Sequence, residues 1–141
     1  METRECIKGR SSIRRFTKQD VSDEVLMELL EAVRRSPSWA NTQCWEVIVV
    51  RDEERKKRLA ELVSPRNPAQ EGVAEAPVVM VMCAQKGVSG FKKGAAVTDK
   101  GDWYMFDLGI ACQNLCLAAH DMGLGTVHVG SIEHAPIAEL L

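Results

Sequence analysis

The side chains best suited to chemistry sit in two short stretches of this 141-residue chain. The first is Arg10-Ser11-Ser12-Ile13-Arg14-Arg15-Phe16. It breaks helical period, and in an extended chain Arg10, Ser12 and Arg14 project to one side while Ile13 turns toward the core. Two guanidinium forks and a hydroxyl could hold a phosphate or another delocalised anion, and a solvated basic turn fits the same residues. The second is Ser36-Pro37-Ser38-Trp39-Ala40-Asn41-Thr42-Gln43-Cys44-Trp45. Polar donors framed by two tryptophans suit a flat ligand with polar edges. A well-capped loop whose tryptophans enter the core is the alternative.

Other constellations carry less. Cys112, Cys116 and His120 share one helical face, but eight residues of helix span about 12 Å, too far for one metal ion to meet all three. Packing of the cysteines as small apolar groups is the simpler reading. No nucleophile triad or Cys-His arrangement is legible around His128 or His134, and Gly123-Leu124-Gly125 lacks the spacing and the preceding strand of a dinucleotide loop.

The elements that must position the two stretches follow from periodicity. Residues 3–9 suit a short helix stopped at Gly9. Ser22 caps a second helix whose stripe is Val25, Leu26, Leu29, Leu30 and Val33, and Pro37 forbids its continuation. Trp45–Val50 reads as a strand, followed by a charged run, 51–58, that opens an exposed helix with Leu59 and Leu62. Residues 64–72 have loop composition. Pro77–Ala84 reads as a strand buried on both faces, and 86–102 as a surface loop. Trp103–Met122 is a long helix rich in small and apolar residues, buried nearly all round, which in a short chain implies cover from a second subunit. Thr126–Val129 resumes as a short strand, and a last helix begins near His134. No repeat or domain boundary interrupts 1–141, so one domain is expected.

Composition bounds the class. At 45% hydrophobic the chain can bury a core, and 18 basic against 20 acidic residues give a net charge of -2, so no global field draws it to nucleic acid or anionic membrane. Five cysteines without a CxxC pair suit reduced thiols in a cytoplasm. The charged N-terminus carries no signal-peptide pattern, and no apolar run reaches membrane-spanning length.

With the two stretches set at the head and end of one helix, the chain resembles the FMN-dependent nitroreductase family. RSSIRRF is similar to its R-x-S-x-[RK]-x-F opening, and SPSWANTQCW to its P-S-x-x-N-x-Q-P-W loop. The similarity continues through Glu75–Ala84 and Asp107–Thr126. The resemblance implies an α+β, three-layer fold with a mostly antiparallel or mixed central sheet flanked by helices, the long helix lying at a dimer interface. It implies two FMN molecules shared between the subunits of a homodimer. Arg10 and Ser12 would serve the phosphate and ribityl end and Arg14 the pyrimidine edge, with Ser11 among the cofactor-binding residues. Ser38, Trp39 and Asn41 would come from the partner, with Gln43 supporting their loop, and the backbone of Val129 and Gly130 would approach flavin N5. The implied activity is ping-pong hydride transfer from NAD(P)H to nitroaromatics or quinones, with no side-chain acid or base and no metal. A non-catalytic flavin-binding or dimeric scaffold protein is the alternative.

Three departures qualify the likeness. Cys44 replaces the proline before Trp45, setting a thiol near the expected flavin edge, where a redox role is one hypothesis and tolerated packing the other. The basic or amide residue expected before the second strand has only Arg66 or Asn67 as substitutes, Ala69 and Gly72 holding the approximate positions. A final strand and an arm with further phosphate-binding cations have no counterpart after Leu141, as in a truncated chain. Each missing cation would forfeit roughly 1.5–3 kcal/mol of phosphate binding.

Overall fold

In the computed structural model, which describes residues 2–141, both stretches are hung on a small antiparallel sheet. Strand β1 (Trp45–Val50) alternates in burial, as a half-covered strand must, up to its fully buried last residue. It pairs with β2 (Val79–Ala84), in register from Trp45 opposite Ala84 to Val50 opposite Val79. Directly opposed residues share a face, so Trp45, Val47, Met80 and Met82 form one apolar side, and Val50, Val79 and Val81 the other.

Helices cover both sides, giving the expected α+β layering. Against the first side pack α2 (Asp23–Arg34) through Val33, and α5 (Tyr104–Asp121) through Ala111, Leu115 and Cys116. Against the second pack α3 (Glu53–Glu61) through Leu59 and α6 (His134–Leu140) through Ile137. Ser22 caps α2 by accepting from the Val25 N–H at 3.4 Å, and Leu26, Leu29 and Val33 are its buried stripe. At its other end Glu31 bonds Arg34 and Arg35, each at 2.6 Å, and the Arg34 guanidinium, then that of Arg35, holds the Glu31 carboxyl down at about 2.

The structure departs from the sequence reading in five places. Residues 64–72 are not all loop, because α4 (Gln70–Glu75) begins within them. Within 86–102 a minimal hairpin forms from β3 (Phe91–Lys92) and β4 (Ala95–Ala96). Thr126–Val129 adds no strand to the sheet; only a parallel bridge joins Ser12 to Thr126. Finally, β2 is half-buried along its length, and α5 buries one face only, leaving Met105 and Phe106 69% and 59% exposed in the single chain.

Candidate active site

The basic segment is fixed by close backbone approaches. It follows α1 (Thr3–Gly9), whose last residue lies against His120: a Cβ on Gly9 would sit 2.6 Å from the imidazole Nε2. The Ile13 N–H then donates to the Thr126 carbonyl at 2.9 Å, and a Cβ on Gly125 would meet the Ile13 side chain at 3.0 Å. On the far side a Cβ on Gly72 would come within 2.4 Å of the Arg14 carbonyl oxygen. Only glycine lets α4 pass this close to the backbone. Arg15 faces α4, pairing with Glu71 and with Glu75 at 3.1 Å, which leaves Arg14 for the other side.

Ser12 and Arg14 line a cavity of about 380 Å³ together with Arg66, Asn67, His128 and Ser131. The Asn67 Oδ1 accepts from the Ala69 N–H at 2.9 Å, so its amide NH₂ is the group left to donate. Of the other candidates, Ser11 is exposed and Arg10 is half-buried, close enough to Cys116 to act on its charge. Val129 and Gly130 fall between the lining residues His128 and Ser131, with open space where a Gly130 side chain would be.

The tryptophan-framed stretch is a strained turn held by side chains. Trp39–Asn41 form one turn of 3₁₀ helix, and Ala40, Asn41 and Gln43 all have positive φ, at 47°, 54° and 49°. Left-handed backbone at non-glycine residues is stable only where the surroundings over-determine it. Here Ser38 Oγ accepts from the Gln43 N–H at 2.9 Å, and Gln43 Nε2 donates to the Arg34 carbonyl at 3.3 Å. The third restraint was not legible beforehand. Asp107, in the first turn of α5 and 0% exposed, accepts from the Trp39 N–H at 3.0 Å and the Ser89 hydroxyl at 2.6 Å, with the Cys44 thiol 3.7 Å away. A carboxylate four residues before the buried Ala111 was the available signal. Thr42 Oγ1 is the one buried side-chain polar atom without a partner among the described residues.

Cys116 packs in the core as expected, and Cys44 is buried as the packing alternative requires. Cys44 is buried, and burial, then the Asp107 carboxylate, pushes its thiol up, so it stays protonated as a weak donor to Asp107. That environment removes the basis for a redox thiol at Cys44. A Cys-His pair does form, which sequence spacing hid: Cys116 Sγ lies 3.4 Å from His128 Nε2, across the turn that follows α5. His120, its partner on the helical face, packs instead against Gly9.

Within one chain the two halves do not meet. Asp107, which anchors the tryptophan loop, is in the first turn of α5, and His120, beside the basic segment, is in its last. Thirteen residues of helix separate them by roughly 20 Å. Ser12 and Arg14 are joined in one cavity by Arg66, Asn67 and His128, whereas Ser38, Trp39, Asn41 and Gln43 lie outside it.

The chain thus has an α+β fold with a basic cavity toward one end of its long helix and a polar, tryptophan-bearing loop toward the other. The nitroreductase family model matches residues 7–141, and the chain belongs to the nitroreductase family. It is 34% identical, over 92% of its length, to the FMN reductase [NAD(P)H] of Bacillus subtilis, of which it covers 55%. Among solved structures, a nitroreductase family protein of Clostridium novyi NT superposes with a TM-score of 0.86 at 27% identity, over 99% of this chain and 75% of that one. A Desulfovibrio desulfuricans protein crystallised in complex with FMN superposes with a TM-score of 0.77 at 31% identity, over 100% of this chain and 76% of that one. The chain spans about half to two-thirds of the length of the first curated relatives it matches. No helix among the described residues is long and apolar enough to cross a membrane.

Proposed function

We propose that this chain is the flavin-binding unit of an FMN-dependent oxidoreductase that passes hydride from NAD(P)H to electron-poor acceptors, nitroaromatics or quinones, by a ping-pong mechanism. The cavity carries the reading: serine hydroxyls, two guanidinium groups and an amide line one space large enough for a ring edge. That donor set fits FMN, an anion at one end and an acceptor-rich pyrimidine at the other. Bound there, FMN would supply the hydride chemistry of both half-reactions.

The residues of the chain bind and orient. Arg10, Ser11 and Ser12 serve the phosphate and ribityl end. Arg14 holds a positive charge at the pyrimidine edge, where reduction places negative charge, so its stabilisation is larger for the reduced state. The Val129–Gly130 backbone, with no side chain at Gly130 to obstruct it, approaches the redox-active nitrogen.

The site is completed by a second copy of the chain. Two observations support a homodimer: the roughly 20 Å between the halves in one chain, and the open apolar face of α5 formed by Met105, Phe106, Gly109 and Ile110. In the dimer Ser38, Trp39 and Asn41 of one chain cover the cofactor held by the other, while Gln43 keeps their loop in shape. Five free cysteines suit a reducing cytoplasm, and residues 1–141 act as one flavin-binding domain.

The test is an FMN titration of apo-protein followed by flavin fluorescence. The unaltered chain binds, and Arg14→Ala weakens binding about 10- to 100-fold, the worth of one charged hydrogen bond. Absence of binding by the unaltered chain would contradict the reading, and unchanged affinity in Arg14→Ala would contradict the role of Arg14.

A further inference from the structure

The cavity wall also carries an imidazole. His128 lines the same space as Ser12, Arg14 and Arg66, and the back of its ring meets the buried thiol of Cys116 at 3.4 Å. Cys112, one turn earlier on the same face of α5, is near enough to act on the charge of the imidazole. We propose that Cys116 is a positioning residue that, with Cys112, holds His128 as a fixed imidazolium on the cavity wall, a further cation for the anionic ligand. The proposal rests on the flavin reading above and names residues that reading does not use.

The geometry supplies the reason. A thiol beside an imidazole nitrogen shares one proton with it, and the ionic arrangement, thiolate with imidazolium, is favoured where other positive charge stabilises the thiolate. Arg10 is near enough to do so. Burial works to raise the Cys116 thiol, yet hydrogen bonds from His128 and Thr126 and the charges of His128 and Arg10 outweigh it and bring it down. Hydrogen bonds with Cys112 and then Cys116 push His128 up to about 10. On the open side Arg14 and Arg66 line the cavity with His128 and oppose its charge, but both are exposed and their repulsion is screened by water. The ring is therefore anchored from behind by the Cys116 sulfur and presents its charge to the cavity it lines.

Removing the thiol separates this from a packing role. The ¹⁵N-edited NMR titration of the His128 ring in apo-protein is expected to show an imidazolium persisting beyond pH 8 in the unaltered chain. In Cys112→Ala/Cys116→Ala it should titrate at least two pH units lower, toward an ordinary histidine, with Cys116→Ala alone moving it part of the way and Cys116→Ser matching Cys116→Ala because serine does not ionise. FMN affinity, compared between variant and unaltered chain at each pH, should be about tenfold weaker in Cys116→Ala at pH 8.5 and nearly equal at pH 5.5, where the ring is protonated in both; one pKa unit of lost coupling corresponds to a factor of ten. An ordinary titration of His128 in the unaltered chain overturns the proposal, and that measurement decides even if the variants fail to fold. So does a variant whose His128 titration is unchanged. If the titration shifts as expected but neither protein binds FMN at any pH, the anchored cation stands and the flavin reading falls.

Discussion

The Trp39 backbone N–H donates to Asp107 Oδ1 at 3.0 Å, tying the tryptophan loop to the first turn of α5 across 68 positions of sequence. Asp107 also accepts from Ser89, so one buried carboxylate joins α5, the loop between α2 and β1, and the segment after β2. Its removal takes the acceptor from the half-buried Trp39 N–H, the buried Ser89 hydroxyl and the weak Cys44 thiol donor. Asp107→Ala should therefore destabilise the fold by about 3 kcal/mol and Asp107→Asn by less, since the amide oxygen still accepts from Trp39. Denaturant unfolding measures both. A loss within 0.5 kcal/mol for Asp107→Ala would mean the carboxylate is not the anchor.

Thr42 offers a test of assembly. Its hydroxyl is buried without a partner in the single chain, so Thr42→Val should cost the isolated subunit nothing or stabilise it slightly. If the hydroxyl is paired across the dimer, the same change costs roughly 1 kcal/mol of dimer stability. Unfolding at low and high protein concentration distinguishes the two.

The exposed α5 face makes a sharper prediction. Phe106→Glu places a charge among Met105, Gly109 and Ile110 without touching the buried side of the helix. By light scattering the unaltered chain should have twice the subunit mass and Phe106→Glu the mass of one subunit, with FMN binding lost. A monomeric unaltered chain that binds FMN would contradict the shared site.

A pH dependence follows from Glu31. Its folded value, about 2, lies below its ordinary 4.5, so the clamp on Arg34 and Arg35 contributes stability above about pH 4.5 that is lost as pH falls toward 2. The groups are exposed, so the contribution is small and salt-sensitive. Thermal unfolding of Glu31→Gln should show a shallower decline between pH 4.5 and 2 than the unaltered chain; identical slopes would exclude the clamp.

Cys44→Ala should leave FMN affinity within about twofold, because the thiol is protonated and faces Asp107. A large loss would restore a cofactor role to Cys44.

Period made α2 legible, its apolar residues falling on one side over several turns, while β1 was legible from its apolar run and α5 from a long stretch of small and apolar residues unbroken by proline. The short α4 was hidden by Pro65, Pro68 and Gly72, which read as loop. It forms because Gly72 lets it rest on the Arg14 backbone, a tertiary reason invisible to local pattern. Thr126 looked like the start of a strand and makes only one bridge, its neighbours having no strand beside them to pair with in this chain. For the site, the basic segment and the tryptophan loop were visible from residue type. Asp107 was masked by the apolar run around it, and the Cys116–His128 pair by the turn that folds His128 back on α5.

Anaerobic reduction separates an oxidoreductase from a protein that only binds flavin. The purified chain, reconstituted with FMN and mixed with NADH or NADPH in the absence of oxygen, should lose its flavin absorbance near the wavelengths of the yellow oxidised form and regain it on addition of a quinone or nitroaromatic. A protein that binds FMN but is bleached by neither nucleotide would contradict the oxidoreductase account and leave only flavin binding.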